Sequence, residues 1–327
     1  MTEVNLLGRT VRVTPAGIEI EADKKLAMKI VEEANLVGGK GVDNPGAAEA
    51  KGGPEEALVG EEATLYRRGV AIVNFLAQDR ADLSYASKEL SRRMSAPMNS
   101  DLPAMKRVAR YLRSHPVWIA LYQWQDRTRS VSIYTDSDWG GCERTRKSTT
   151  GGVVMKGLHC ISQWSRTQQL IALSSAEAEL NASVRAGQEG IGIINFSTEI
   201  GTPHEVEILG DSSAAQGINM RVGSGRVKHL SIRQLWLQER VAKGYLTCRT
   251  IPREINCADA MTHHWSPKEG KSHFAVMHCF TRGPTTEEVS GWTRGGVKAD
   301  SIAGCTHVTD ACCRVHVFAS HMCSCMF

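Results

Sequence analysis

Four carboxylate residues stand where predicted strands or helices begin or end. Because the ends of neighbouring strands meet at one edge of a sheet, these side chains are expected to converge. Crowded carboxylates repel one another unless cations compensate, and such oxygen-rich sites suit Mg²⁺ or Mn²⁺. Two ions about 3.5 to 4 Å apart can activate water and stabilise the leaving oxygen of a phosphodiester. The four candidates are Asp136 after SIYT, Glu179 in the first turns of a helix, Asp211 after the apolar run 206–209, and Asp259 at the start of the last element.

Each of these carboxylates is a weak signal when it is taken alone. An aspartate after a strand is more often a turn residue, and an aspartate before a serine is more often a helix cap. The ordered set of four, each in its own local phrase, is a stronger signal for a metal site.

The elements that must position these residues follow from hydrophobic periodicity. Between residues 118 and 164 the period changes towards two, which predicts three strands containing VSIYTD, GGVVMKG and CISQW. Ser174 and Glu177 fit a capping box at the start of a long helix. A buried strand at 206–209, two helices and a strand at 245–251 follow. This order predicts an α/β fold with a mixed five-stranded sheet flanked by helices.

A smaller, mostly helical part is predicted upstream. Short strand-like pieces and a helix at 23–35 lead into a Gly/Ala/Pro-rich loop, and helical periodicity returns at 66–94 and 101–114. In the last helix, Met105, Val108 and Leu112 form an apolar face beside a basic flank. The predicted domain organisation is 1–60, a strand-bearing segment with a linker; 61–128, a helical connection; 129–265, the mixed-sheet domain; and 266–327, an irregular or disordered Cys-rich tail.

Composition excludes some classes of protein. The chain has 327 residues, 42% hydrophobic and 23% charged, without an apolar run of about 20 residues to span a bilayer. The N-terminus lacks the basic-then-apolar pattern of a signal peptide, which predicts an intracellular protein, not secreted, with cysteines as thiols. Net charge is only +4. Residues 221–253 nevertheless hold eight basic side chains against the single acid Glu239, which suits either a phosphate backbone or a solvated helix face.

Six phrases in fixed order resemble the ribonuclease H region of copia-type retrotransposon Pol polyproteins. The resemblance covers about 131–264. It implies a ribonuclease H-like fold and assigns the metal-binding and catalytic roles to Asp136, Glu179, Asp211 and Asp259, leaving Glu177 as the helix-capping partner. The phrases are YTDSDW at 134–139, RKSTTG at 146–151, ALSSAEAE at 172–179, GDSSAA at 210–215, KHL at 228–230 and NCAD at 256–259.

The upstream segment is similar to the stretch that joins reverse transcriptase to ribonuclease H in the same polyproteins. YRR at 66–68, DRADLSYA at 79–86 and LSRRM at 90–94 carry that similarity, and residues 1–60 resemble the end of the polymerase region. The paired aspartates of the polymerase metal motif are absent, so no polymerase activity is expected from this fragment. Departures from the family are Ser231, Ala81 and the pair Thr262 and His263.

The activity that the resemblance implies is endonucleolytic hydrolysis of the RNA strand of an RNA/DNA hybrid with two Mg²⁺ or Mn²⁺ ions. The expected partners are the RNA/DNA hybrid and the remaining Pol polyprotein. The expected location is a cytoplasmic particle or the nucleus. The alternative is a catalytically inert retroelement remnant that still binds nucleic acid. An integrase would need a different acidic triad and a His/Cys zinc region. The candidates for nucleic-acid binding are Lys147, Ser148, Lys228, His229 and Arg233, and a helix-surface role is an equal alternative for His229.

Two tryptophans and a few histidines invite further readings. Trp139 and Trp164 could stack on nucleotides, but a tryptophan beside a strand is more often part of the core, so both are predicted to pack. His263, His264, His278 and Cys279 lack the paired spacing of a zinc site.

Overall fold

The first sheet is built mainly from the N-terminal part of the chain. In the computed structural model, which describes residues 2–46, 55–223, 225 and 232–283, its order is β1-β2-β3-β4-β10, with every pair antiparallel. All described residues belong to one compact unit, Met1–Thr286. The strands are β1 (Thr2–Leu6), β2 (Arg9–Thr14), β3 (Gly17–Glu21), β4 (Val117–Gln123) and β10 (Cys279–Arg282).

Four helices pack with this sheet. Asp23 caps the first of them, since its side chain accepts a hydrogen bond from Leu26 N at 2.9 Å. Their apolar faces meet in a core that includes Ile30, Tyr66 and Leu112, all at most 1% exposed. The helices are α1 (Lys24–Glu33), α2 (Gly60–Leu76), α3 (Ser84–Ser91) and α4 (Asp101–Ser114).

The second sheet is mixed and has five strands in the order β7-β6-β5-β8-β9. The three consecutive strands β5, β6 and β7 pair antiparallel, whereas β8 pairs in parallel with β5, and β9 in parallel with β8. Parallel neighbours need a crossover, and helices supply it here. The strands are β5 (Ser130–Ser137), β6 (Thr149–Lys156), β7 (His159–Thr167), β8 (Glu205–Gly210) and β9 (Thr247–Thr250). The helices are α5 (Ser175–Glu199), α6 (Ser213–Asn219), α7 (Ile232–Ala242) and α8 (Pro267–Val276).

Both faces of this sheet are covered. Val154 of β6 packs into a core with α5 and α7, while its neighbours Val153 and Met155 point to the opposite face and join the core of the upstream helices. Helix α5 lies very close to the sheet at Gly190, where an added Cβ would be 2.9 Å from a Val206 methyl carbon. The two sheets therefore share one continuous body, with the mixed sheet in its middle.

The predicted fold class is confirmed: the mixed five-stranded sheet and its flanking helices are present. One half of the capping box predicted at the start of α5 forms, since Ser174 Oγ accepts from Glu177 N at 3.2 Å. The Glu177 carboxylate accepts from Leu173 N at 2.7 Å instead of from the Ser174 N–H. Among the described residues, no helix combines the length and apolarity needed to cross a bilayer.

The start of the segment 266–327 differs from the irregular structure expected there. Ser266 and Glu269 form a capping box with Pro267 in the first turn, so α8 has a strong N-terminal signal. Strand β10 then pairs with β4, in the register Cys279 to Ala120. Residues from 284 onwards lie outside the part of the chain that the structure describes.

Candidate metal centre

Three of the four predicted carboxylates meet at one edge of the mixed sheet. Asp136 is the penultimate residue of β5, and Asp211 follows directly after β8. The parallel register that pairs Tyr134 with Leu209 brings the two aspartates level with each other. Glu179 reaches the same place from α5, and one oxygen of each carboxylate lies within 4.8 Å of the others. Two strand ends and one helix start thus bring three acids together, and we name Asp136, Glu179 and Asp211 the acidic group.

Burial and mutual repulsion keep these carboxylates from ionising easily. Burial raises the pKa of Asp136 to about 7, although the Thr262 hydroxyl opposes the shift. Burial, and then repulsion from Asp136 and Asp211, raise the pKa of Glu179 to about 9. The pKa of Asp211 is also raised by burial. The protein therefore supplies too little positive charge here to stabilise all three carboxylates in their ionised form.

Asp259 lies beside the acidic group and has partners of its own, one arginine and two histidines. Its carboxylate is 3.2 Å from Arg253 Nη2, 3.4 Å from His273 Nε2 and 3.7 Å from His263 Nε2. Burial opposes ionisation, but the His273 hydrogen bond and the nearby charges outweigh it and lower the pKa of Asp259. The structure therefore gathers Asp136, Glu179 and Asp211, and leaves the fourth predicted carboxylate at the rim.

A short 3-10 turn, Cys257–Met261, carries Asp259 to this position. Asn256 anchors the turn to β5 by donating from Nδ2 to the Thr135 carbonyl oxygen at 3.0 Å. Gly151 of β6 permits close contact, because a Cβ there would lie 2.6 Å from the Ala258 carbonyl oxygen. Within the NCAD phrase, Asn256 therefore anchors the turn, and Asp259 is the acid that the turn positions.

Two side chains at the centre were missed by sequence reasoning. Thr262 Oγ1 lies 2.6 Å from Asp136 Oδ2 and 2.9 Å from the Asp259 carbonyl oxygen, so it links the acidic group to the turn. Buried Gln168 lies within hydrogen-bond distance of Ser137 Oγ at 3.1 Å and of the Ala178 carbonyl at 2.9 Å, joining β5 to α5. Thr262 was itself noted as part of a departure from the family, but without a role at the metal centre, whereas nothing in the sequence pattern pointed to Gln168.

The predicted nucleic-acid contacts have mixed outcomes. Lys147 is half-buried in the loop before β6. Ser148 differs from the expectation, since it is 0% exposed and its hydroxyl accepts from Gly140 N at 3.0 Å, so it fixes the loop instead of facing a phosphate. Lys228, His229 and the side chain of Arg233 lie outside the described residues.

The prediction that both tryptophans pack is confirmed for one and wrong for the other. Trp164 is 7% exposed and belongs to the core between the mixed sheet and α5. Trp139 is 59% exposed, because it stands in the loop after β5 rather than on the sheet itself.

The donor set fits a hard divalent cation. All three convergent groups offer carboxylate oxygens, which Mg²⁺ and Mn²⁺ prefer, and Glu179 and Asp211 are only half-buried, so the group opens to solvent. A bound cation would relieve the repulsion that raises the pKa values of these acids. The site can therefore hold metal next to a substrate that approaches from solvent.

Comparison with known proteins gives the family. The retrovirus-related Pol polyprotein from transposon RE1 of Arabidopsis thaliana is 29% identical over 281 residues, which is 85% of this chain and 19% of that protein. The corresponding polyprotein from transposon TNT 1-94 of Nicotiana tabacum is 28% identical over 251 residues, 74% of this chain and 19% of that protein. The chain is a homologue of transposon Pol polyproteins. The resemblance found in the sequence is thereby confirmed.

This Pol polyprotein homologue spans about a fifth of the length of the curated relatives it matches. No family model matches it. Among solved structures, LC11-RNase H1, isolated from compost by a metagenomic approach, has 20% sequence identity and a TM-score of 0.31, with 41% of this chain and 94% of that chain covered.

Proposed function

We propose that this chain hydrolyses the RNA strand of an RNA/DNA hybrid with the help of divalent metal ions. The observation that carries the proposal is the convergence of Asp136, Glu179 and Asp211, whose oxygens lie within 4.8 Å of one another. Homology to transposon Pol polyproteins supports a retroelement ribonuclease H role. Three crowded acids with raised pKa values, one buried and two half-buried, are unfavourable for folding, so a ligand of opposite charge is the most direct reason for their being together.

In this proposal the carboxylates of Asp136, Glu179, Asp211 and Asp259 would hold two Mg²⁺ or Mn²⁺ ions. When bound, the ions lower the pKa of the attacking water and stabilise charge on the leaving oxygen of the phosphodiester. Hydrolysis leaves 5'-phosphate and 3'-hydroxyl ends, and the 2'-OH distinguishes RNA from DNA.

The chain's own groups orient these ligands. The Thr262 hydroxyl, 2.6 Å from Asp136 Oδ2, limits rotation of that carboxylate. The Ser137 backbone N–H donates to Glu179 Oε1 at 3.3 Å and so holds the helix-borne acid against the end of β5. Ligands fixed before the metal binds lose little freedom on binding, which favours a defined geometry.

The test is cleavage of an end-labelled RNA strand annealed to DNA, in Mg²⁺ and in Mn²⁺. Duplex DNA and single-stranded RNA are the substrate controls. Asp136→Asn should lower the cleavage rate by at least about 1000-fold, because several kcal/mol of transition-state stabilisation are lost. The matched control is Asp126→Asn, which removes an exposed carboxylate in the loop between β4 and β5 and should leave the rate unchanged.

Two outcomes would reject the proposal. Equal cleavage by Asp136→Asn and the wild type would show that the acidic group does not act in the reaction. Hybrid binding by the wild type without cleavage in either metal would instead establish the inert, nucleic-acid-binding remnant. Circular dichroism and a melting curve for each variant separate a lost ligand from a lost fold.

A further inference from the structure

A solvent-exposed tryptophan next to the metal centre is held in place by a hydrogen bond. Trp139 follows Asp136 by three residues and is 59% exposed. Its indole N–H donates to the Ala172 carbonyl oxygen at 3.1 Å. The next residue in the loop, Gly140, is itself fixed, because its N–H donates to the Ser148 hydroxyl at 3.0 Å. The ring is therefore positioned by hydrogen bonds without being buried.

Three more apolar side chains continue this exposed surface. Leu170 is 69% exposed, Ile171 52% and Leu173 67%, and they flank the residue that accepts the indole hydrogen bond. We name Trp139 and these three side chains the apolar strip. Its backbone is also fixed, since Leu173 N donates to Glu177 Oε2 at 2.7 Å at the start of α5. The strip is thus attached to the helix that carries Glu179.

An ordered apolar surface in water is unfavourable unless a ligand covers it. The position of this surface beside the acidic group indicates which ligand covers it. Three extended residues span at most about 11 Å, so the Trp139 backbone lies within that distance of Asp136. A strand of a nucleic-acid duplex advances about 3.4 Å per nucleotide. A phosphate held at the acidic group therefore brings nucleotides within about three steps of the cut to the apolar strip.

We propose that Trp139 lies against the sugars of the hybrid in its minor groove, close to the cleaved phosphate. This inference rests on the proposed function, because it needs the hybrid to bind at the acidic group. The wide, shallow minor groove of an A-like duplex exposes sugar faces, and a flat ring can cover them. A sugar contact does not depend on base identity, so the ring contributes to affinity for every hybrid sequence.

The chain contains a matched control for this residue. Trp124, after β4, is 58% exposed, and its indole N–H also donates to a backbone carbonyl oxygen, that of Thr14, at 3.2 Å. It differs from Trp139 in standing beside the first sheet instead of the acidic group. Trp139→Ala and Trp124→Ala therefore remove equal surface and equivalent hydrogen bonds at different places.

The experiment measures Kd in Ca²⁺ without turnover, and kcat and KM in Mg²⁺, for two hybrids of unrelated sequence. Trp139→Ala should raise Kd by about 5- to 20-fold for both hybrids, in the range of aromatic contacts to nucleic acid. The value of kcat should change by less than about threefold, because no metal ligand is removed. Trp139→Phe, which keeps a ring, should recover most of the affinity, and Trp124→Ala should bind like the wild type.

Equal Kd values for Trp139→Ala and Trp124→Ala would overturn the inference, as would an effect on only one of the two hybrids. If the wild type cleaves the hybrid and Asp136→Asn does not, such a result rejects the role of Trp139 and leaves the proposed function standing. A wild type that neither binds nor cleaves the hybrid would reject both. Because Kd is measured without turnover, the role of Trp139 is tested even in a protein that binds but does not cut.

Discussion

Acidic side chains in two regions of the chain have opposite surroundings. In the upstream helical part, Asp82 is wholly buried against Arg80, with Nη2 to Oδ2 at 2.7 Å and Nε to Oδ1 at 3.2 Å. Tyr111 donates a further hydrogen bond to Asp82 at 2.7 Å. The guanidinium also donates to the carbonyl oxygens of His115 and Pro116. This acid has a complete set of partners, so its charge is neutralised within the protein.

The acidic group at the mixed sheet has no arginine partner of this kind among the described residues. Asp136, Glu179 and Asp211 have raised pKa values, and the Arg253 guanidinium, which acts on Asp136 and Asp211 from a distance, contacts Asp259 instead. This difference shows that the burial of a charged residue does not by itself indicate a functional site. A compensated acid stabilises the fold, whereas uncompensated acids favour a cation from solution.

The largest expected effect comes from breaking the compensated pair. Arg80→Ala leaves Asp82 charged and buried, which should lower the free energy of unfolding by about 3 to 5 kcal/mol. Urea unfolding followed by circular dichroism measures the change. Arg249→Ala is the control, since its pair with Glu207 is on the surface and should contribute less than about 1 kcal/mol. A loss below about 1 kcal/mol for Arg80→Ala would contradict the comparison.

Supplying the missing cation should have the next largest effect. Mg²⁺ at 100 times its Kd should raise the free energy of unfolding of the wild type by about 2.7 kcal/mol, because only the folded chain presents the three acids together. Thermal melting with and without Mg²⁺, at constant ionic strength, measures it. The double variant Asp136→Asn with Glu179→Gln should lose this stabilisation. Equal stabilisation of both proteins would place the bound metal elsewhere.

The metal-free protein should become less stable as pH rises. The folded state keeps a proton on Asp136 up to about pH 7 and on Glu179 up to about pH 9, compared with ordinary pKa values of 3.8 and 4.5. The folded chain thus binds more protons than the unfolded chain across this window. The contribution of these two acids to stability is largest below their ordinary pKa values and falls by at most about 1.4 kcal/mol per pH unit for each proton as pH rises.

Urea unfolding from pH 5 to 9 in a chelator tests this slope. Glu179→Gln should flatten it, while Glu199→Gln, an exposed residue at the other end of α5, should not. Added Mg²⁺ should oppose the fall, because deprotonated ligands bind metal more tightly. A stability that rises with pH in the metal-free protein would contradict the raised pKa values.

The smallest effect is expected at Arg253. Its side chain is 72% exposed, so its interaction with Asp259 is screened by water. Arg253→Gln should tighten Mg²⁺ binding by less than about fivefold, since one weakly acting positive charge is removed. Isothermal titration gives the affinity, and Arg249→Gln controls for lost surface charge. A tenfold change, or weaker binding, would mean that Arg253 acts on the ligands directly.

Local patterns were sufficient to predict the strands and helices that carry the acidic group. Alternation located β5, a short apolar run located β8, and the capping box located α5, so Asp136, Asp211 and Glu179 could be placed near one another. Each signal lies within a few residues of the acid that it positions. The mixed-sheet class followed from the order of these elements.

Features that depend on distant residues could not be predicted in this way. No local pattern distinguishes Arg80, and its burial depends on Asp82 and Tyr111 together. Two partners of Asp259, Arg253 and His263, lie within six residues of it along the chain, but the third, His273, comes from α8, whose packing against the turn has no local signature. Exposure of Trp139 depends on which loop residues cover it, which periodicity does not report.

The pairing of β10 with β4 also bears on how the protein is made. During synthesis, β4 (Val117–Gln123) leaves the ribosome before any strand of the mixed sheet, and β10 (Cys279–Arg282) leaves it after all of them. The β4 edge that pairs with β10, where Leu121 N donates to the His278 carbonyl oxygen, therefore stays unpaired until translation has passed His278. A chain released early would expose that edge to other strands, so premature termination would favour aggregation as well as loss of α8.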